Sequence, residues 1–76
     1  MTIAYILINV ESGSEADVSR ALRGISEVKE VYGLYGLYDL IAKIEVDSVS
    51  TVRDVVSSKM RALKGVRSTL TMIVVE

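Results

Sequence analysis

Apolar residues recur along this chain with two different periods, and each switch of period marks a change of element. Ile3 to Val10 is apolar on both parities: Ile3, Tyr5 and Leu7 on one, Ala4, Ile6, Ile8 and Val10 on the other. That pattern predicts a central strand with both faces covered. Glu11-Ser12-Gly13 interrupts it. Ser14, Glu15 and Asp17 predict a helix start, with a hydroxyl able to accept from first-turn N–H groups and two acids at the positive end of the dipole. Val18, Ala21, Leu22 and Ile25 then recur at i, i+3, i+4 and i+7. Gly24 supplies a stop, which places this helix at about residues 14–24.

Val28 to Tyr35 predicts a second strand and Leu37 to Asp47 a third, close enough in sequence to pair as antiparallel neighbours. The third alternates cleanly, Leu40, Ala42, Ile44 and Val46 against Ile41, Lys43, Glu45 and Asp47. The two strands meet at Tyr35-Gly36-Leu37-Tyr38-Asp39. Asp47, Ser48 and Ser50 are each competent caps for a second helix. Its apolar stripe is Val49, Val52, Val56, Met60 and Leu63. Lys59, Arg61 and Lys64 crowd its last turns, where the dipole favours cations, and Gly65 ends it. Val66 to Val75 predicts the last strand, with Leu70, Met72 and Val74 alternating against Thr69, Thr71, Ile73 and Val75.

The order β-α-β-β-α-β predicts an α+β, ferredoxin-like fold over residues 1–76 as a single domain. Its four-stranded antiparallel sheet would run 4-1-3-2 with both helices on one face. The helices are expected to cover Ala4, Ile6 and Ile8, then Leu40, Ala42 and Ile44, and on the last strand Leu70, Met72 and Val74. That leaves Ile3, Tyr5, Leu7, Ile41, Ile73 and Val75 on the opposite face, a larger apolar patch than monomers expose. Burying it at roughly 25 cal/mol per Å² would stabilise a small domain. The expectation is a dimer packed sheet to sheet, a dimeric α+β barrel.

Composition sharpens this. The chain has 76 residues, no cysteine and no histidine. Disulfides are excluded and the commonest transition-metal ligand is absent, so oligomerisation is the remaining staple for so small a scaffold. Acids and bases are interspersed and sum to a formal charge of −1. No Lys/Arg block offers a footprint for phosphate backbones, which argues against direct nucleic-acid binding. No apolar run is long enough to span a membrane. Met1 leads straight into the first strand without a basic leader, which predicts a cytoplasmic protein.

Catalytic residues, metal ligands and cofactors are not expected. Ser12, Ser14, Ser26, Ser48 and Ser50 sit at caps and turns, none in a nucleophile-elbow pattern. Glu15/Asp17 and Glu45/Asp47 read as solvated surface. Gly33 and Gly36 are too few for a nucleotide-binding loop, and a strand follows them. Two features stay open. Gly36-Leu37-Tyr38-Asp39 is either a plain turn, with a glycine for its backbone freedom and a self-capping aspartate, or a small polar pocket. In the pocket, turn amides would face a carboxylate and Asp39 an ammonium. Thr69 and Thr71 share one face of an apolar strand, through β-propensity alone or as paired hydroxyls for a ligand.

Gly36-Leu37-Tyr38-Asp39 entering a strand, a helix opening near Ser48–Ser50, and then Gly65-Val66-Arg67-Ser68-Thr69-Leu70-Thr71 resemble the effector-binding (RAM) domain of the Lrp/AsnC transcription regulators, over essentially the whole chain. The resemblance implies a ferredoxin-like homodimer that assembles further into octamer or decamer rings, with an amino-acid effector bound between dimers. Carried onto this sequence, the family's turn matches Gly36, Tyr38 and Asp39, and its last-strand threonines match Thr69 and Thr71. Tyr35 and Leu37 are included as neighbours of the turn. Full-length members carry an N-terminal helix-turn-helix, whereas this sequence starts at the first strand. The resemblance therefore implies a stand-alone regulatory module that acts in transcription regulation without its own DNA-binding domain, either by sequestering amino acids or by co-assembling with full-length Lrp/AsnC regulators as partners. The rival readings are a small ferredoxin-like enzyme of monooxygenase or isomerase type, or a purely structural oligomer.

Overall fold

In the computed structural model, which describes residues 1–75, the doubly apolar first strand does what its pattern demands. β1 (Thr2–Val10) lies inside the sheet between β3 (Leu40–Val46) and β4 (Val66–Ile73), with β2 (Val28–Gly33) outside β3. The order is β2-β3-β1-β4 and each neighbouring pair is antiparallel, the expected order read from the other edge. The fold is ferredoxin-like. α1 (Glu15–Arg23) and α2 (Val49–Val55) pack on one face, where Ala4, Ile6, Ile8, Val10, Leu40, Ala42, Ile44 and Val46 meet Val18, Leu22, Val52, Val55, Val56 and Met60 in one core. No helix among the described residues is long and apolar enough to cross a membrane.

The helix starts differ in how they are satisfied. Ser48 caps α2, its Oγ accepting from the Thr51 amide at 3.3 Å. Ser14 makes no such side-chain bond; it enters through its backbone, its N–H donating to the Glu11 carbonyl at 2.9 Å. Gly65 packs against this corner. Its φ is +97°, and a Cβ there would lie 3.0 Å from Ser14 Cβ and 3.1 Å from Val18 Cγ2. It thus does more than end a helix: it lets β4 begin in contact with the start of α1.

α2 runs on into a π turn at Val56–Met60, where the Arg61 N–H donates to the Val56 carbonyl at 2.8 Å. The stripe Val52, Val56, Met60 is spaced by four, and in a pure α-helix such a row drifts around the axis. The wider turn holds all three against the core. Two serine hydroxyls accompany it, Ser57 Oγ donating to the Arg53 carbonyl at 2.9 Å and Ser58 Oγ to that of Asp54. Serines that bond back in this way bend helices.

One expectation about the faces is overturned. On β4 it is Thr69, Thr71 and Ile73 that oppose Ile8, Ile6 and Ala4 on the helix side, while Leu70 and Met72 oppose Leu7 and Tyr5 on the uncovered side. The cause is a bulge. Val10 pairs with Val66 and Asn9 with Ser68, which leaves Arg67 as an extra residue. Simple alternation from the inward Val66 would turn Leu70 and Met72 inward. The extra residue exchanges the two faces of everything beyond it. A second bulge, at Lys29 on β2, turns both Val28 and Val31 toward the core.

The uncovered face therefore holds Ile3, Tyr5, Leu7, Ile41, Leu70 and Met72, the last two 45% and 41% exposed. Near its centre Lys43 lies 3.6 Å from carboxylate oxygens of both Glu30 and Glu45.

Candidate functional site

Strands β2 and β3 end earlier at their junction than the apolar pattern predicts, leaving Leu34–Asp39 as a six-residue loop. Its base is held firmly. The Leu34 N–H donates to the Asp39 carbonyl at 2.9 Å, and the Asp39 N–H to the Ile8 carbonyl at 3.0 Å. The Val10 N–H donates to Asp39 Oδ2 at 2.9 Å. β1 outruns β3 here, and the Asp39 carboxylate takes the place of the missing strand carbonyl. This side chain therefore does structural work, as the plain-turn reading requires. Its second oxygen accepts no hydrogen bond among the described residues.

The tip is the opposite of the base. Gly36 has a φ of +148°, a conformation that residues with a Cβ rarely adopt. On either side of it Tyr35 and Leu37 are fully exposed, and Tyr38 is half-buried. A tyrosine and a leucine held out on a pinned loop have nothing in their own chain to cover them.

Thr69 and Thr71 lie on the other side of β1. Thr69 pairs with Ile8, the residue whose carbonyl Asp39 holds. Asp39 and Thr69 thus flank the same strand at the same level, two inter-strand spacings or about 10 Å apart, and Thr71 lies two residues further along β4, opposite Ile6. They do not share a cavity within one chain. The threonines line a groove of about 340 Å³ between α2 and β4, together with Val49, Val52, Arg53, Val56, Ser57, Arg61 and Ile73. None of the loop residues reaches it.

Arg53, Ser57 and Arg61 are not among the expected site residues, Arg61 being read only as a cation at the helix end. The signal was present: they follow one another at intervals of four beside the apolar row Val52, Val56 and Met60. The same π turn that holds that row on the core keeps these three on the adjoining groove wall.

On the uncovered face, the Tyr32 hydroxyl donates to Glu30 Oε1 at 2.7 Å. That bond holds the Glu30 carboxyl below the usual carboxylate range, and Lys43 lowers it further. Lys43 in turn stands above an ordinary lysine, through Tyr5 first and then Glu30 and Glu45, with desolvation opposing. Among the described residues no group of three His, Cys, Asp or Glu side chains is placed to hold a metal ion.

A family model for the Lrp/AsnC ligand binding domain matches residues 3–76. Among solved structures, a hypothetical protein of Pyrococcus horikoshii is 37% identical with a TM-score of 0.92, the match covering 100% of this chain and 92% of that one. The E. coli AsnC structure is 25% identical with a TM-score of 0.93, and the match covers 99% of this chain but 51% of AsnC. The chain thus spans about half of that regulator. A feast or famine regulatory protein of M. tuberculosis, solved in complex with L-methionine, shares the fold at 23% identity and a TM-score of 0.85, over 100% of this chain and 51% of its own. No curated protein matches the chain.

Proposed function

The chain belongs to the Lrp/AsnC ligand-binding domain family, and from that premise we propose that it is an amino-acid-binding, oligomerising module that acts in transcription regulation. Residues Tyr35 to Asp39 form one half of the effector site. Turn amides around Gly36 receive the α-carboxylate, the unused oxygen of Asp39 receives the α-ammonium, and Tyr35, Leu37 and Tyr38 wall the side chain. The other half, Thr69 and Thr71, comes from a neighbouring copy, because the two halves face different spaces in a single chain.

The observation that carries this reading is the contrast within one loop. Its base is fixed by three hydrogen bonds, and its tip holds Tyr35 and Leu37 bare. A preorganised acceptor beside unsatisfied apolar surface is what a shared ligand site needs. The uncovered sheet face supplies the means of assembly: its apolar residues suit a second copy, and dimers so formed assemble into octamer or decamer rings. Full-length Lrp/AsnC regulators are the further partners this reading implies.

Isothermal calorimetry and thermal melting of the chain against each of the twenty amino acids test it. A ligand that binds the folded state raises the melting temperature. Saturable heat and a raised melting temperature with at least one amino acid, both lost in Asp39→Asn, are expected. No response to any of them would overturn the reading.

A further inference from the structure

The α2–β4 groove has a charge that its apolar surroundings do not explain. Val52, Val56 and Ile73 give it an apolar floor. Its walls carry Arg53 and Arg61 from the helix side, the Ser57 hydroxyl, and the Thr69 and Thr71 hydroxyls from the strand. No carboxylate lines it. Six of the other seven basic side chains find partners among the described residues: Arg20 with Asp17, Lys43 with Glu30 and Glu45, Lys59 with Glu27, Arg67 with Glu11, Arg23 with the Val31 carbonyl and Lys29 with the Ser26 carbonyl; Lys64, which does not line the groove, has none. Arg53 and Arg61 make no ion pair or side-chain hydrogen bond among the described residues. Two unpaired guanidinium groups thus border one concavity. Their Cα positions are eight steps apart along the helix, roughly 12 Å of axial rise, and two side chains as long as arginine converge from that spacing over the groove.

We propose that Arg53 and Arg61 make this groove a carboxylate-binding site, so that the ligand of this chain is a small compound with two carboxylates joined by a short methylene chain. Each arginine offers a planar fork that matches a carboxylate in two hydrogen bonds. The threonine and serine hydroxyls supply further donors, and the methylenes lie on the apolar floor. A volume of about 340 Å³ suits a molecule of this size. An ammonium finds no acceptor carboxylate inside the groove. An acidic amino acid would therefore set its side-chain carboxylate on one arginine and its α-carboxylate between the second arginine and the turn amides of a neighbouring copy, with its amino group toward that copy's Asp39, whereas a plain dicarboxylate would bind by the groove alone. The first of these alternatives rests on the effector site proposed above; the second does not.

The test uses the whole chain, isotopically labelled, titrated with glutarate, glutamate, glutaramide and leucine while amide resonances are followed. Glutarate or glutamate is expected to shift Ser57, Thr69 and Thr71, with a dissociation constant below about 1 mM. Glutaramide, of the same shape without charge, is expected to bind at least about tenfold more weakly. Arg53→Gln and Arg61→Gln should each weaken dianion binding by about tenfold or more while leaving the melting temperature unchanged. Glutarate binding that survives Asp39→Asn, with glutamate gaining nothing over it, supports the groove and removes the amino-acid reading. Leucine binding at residues 36–39 with no response to either dianion overturns the groove and leaves the amino-acid reading standing. Equal binding of glutarate and glutaramide, or dianion binding untouched in both arginine variants, also overturns it.

Discussion

Asp39 reaches across the end of the sheet to Val10: its Oδ2 accepts the Val10 N–H at 2.9 Å where no strand carbonyl is present to do so. One carboxylate therefore serves the fold with one oxygen, and its other oxygen accepts no hydrogen bond among the described residues. The structural role and the ligand role proposed above separate by substitution. Asp39→Ala removes the acceptor from a partly buried N–H and should cost about 1–3 kcal/mol of stability. Asp39→Asn keeps an acceptor oxygen but loses the charge, so it should retain most of that stability while losing affinity for an ammonium-bearing effector. Chemical denaturation and calorimetry on both variants check the split. Equal loss of stability in the two would show that the charge, not the acceptor, holds β1.

The uncovered face gives a second prediction. Leu70 and Met72 stand beside Leu7 and Tyr5, across from the helices. Met72→Glu should shift the chain toward monomer in sedimentation at micromolar concentration while leaving its helical circular dichroism intact. Lys43→Glu should act in the same direction, because it would set a third carboxylate beside Glu30 and Glu45. Thr71→Val lies on the opposite side and should not change the sedimentation profile. A dimer that survives both charged substitutions would place the interface elsewhere.

The two-sided apolarity of Ile3–Val10 and the alternation of Leu40–Val46 placed β1 and β3 and their faces correctly, because strand parity is a strict code wherever pairing is regular. β4 defeated the same logic. Nothing in Val66-Arg67-Ser68 announces that Arg67 bulges, and one extra residue inverted the faces of Leu70, Met72 and both threonines. The turn at Gly36–Asp39 was legible because a glycine and an aspartate between two β-prone runs have few uses. The groove was not, because Arg53, Ser57 and Arg61 become neighbours of Thr69 and Thr71 only through packing, and a π turn has no clear signature in sequence.

Gly65 offers a test of the corner between α1 and β4. Its φ of +97° is strained for any residue with a Cβ, and the added atom would meet Ser14 Cβ at 3.0 Å. Gly65→Ala should therefore destabilise by about 1–3 kcal/mol. Ser14→Gly in the same chain removes the Ser14 contact but leaves Val18 Cγ2 at 3.1 Å and the backbone strain. The double variant should recover part of the loss in urea denaturation, and full recovery would show that the Ser14 contact alone makes the glycine necessary.

The Glu27–Lys59 pair ties the π turn to the start of β2, and its chemistry fixes the sign of a pH effect. Lys59 Nζ lies 3.0 Å from both Glu27 carboxylate oxygens. This bond first, and then Glu27's own backbone hydrogen bond, hold the Glu27 carboxyl below its ordinary value of 4.5. A carboxyl whose folded value is depressed contributes stability that is fully present above its unfolded value and is lost as pH falls through the folded one. The pair is exposed to solvent, so the effect is small and screened by salt. Stability of the natural chain should decline as pH falls below about 4.5, and Glu27→Gln should flatten part of that slope at low ionic strength. Glu30, lowered chiefly by the Tyr32 hydroxyl, contributes in the same window, so Glu27→Gln should leave a residual slope that Tyr32→Phe reduces further. Denaturation midpoints measured from pH 3 to 7 decide this. A slope that neither substitution alters would assign the acid sensitivity to other carboxyls.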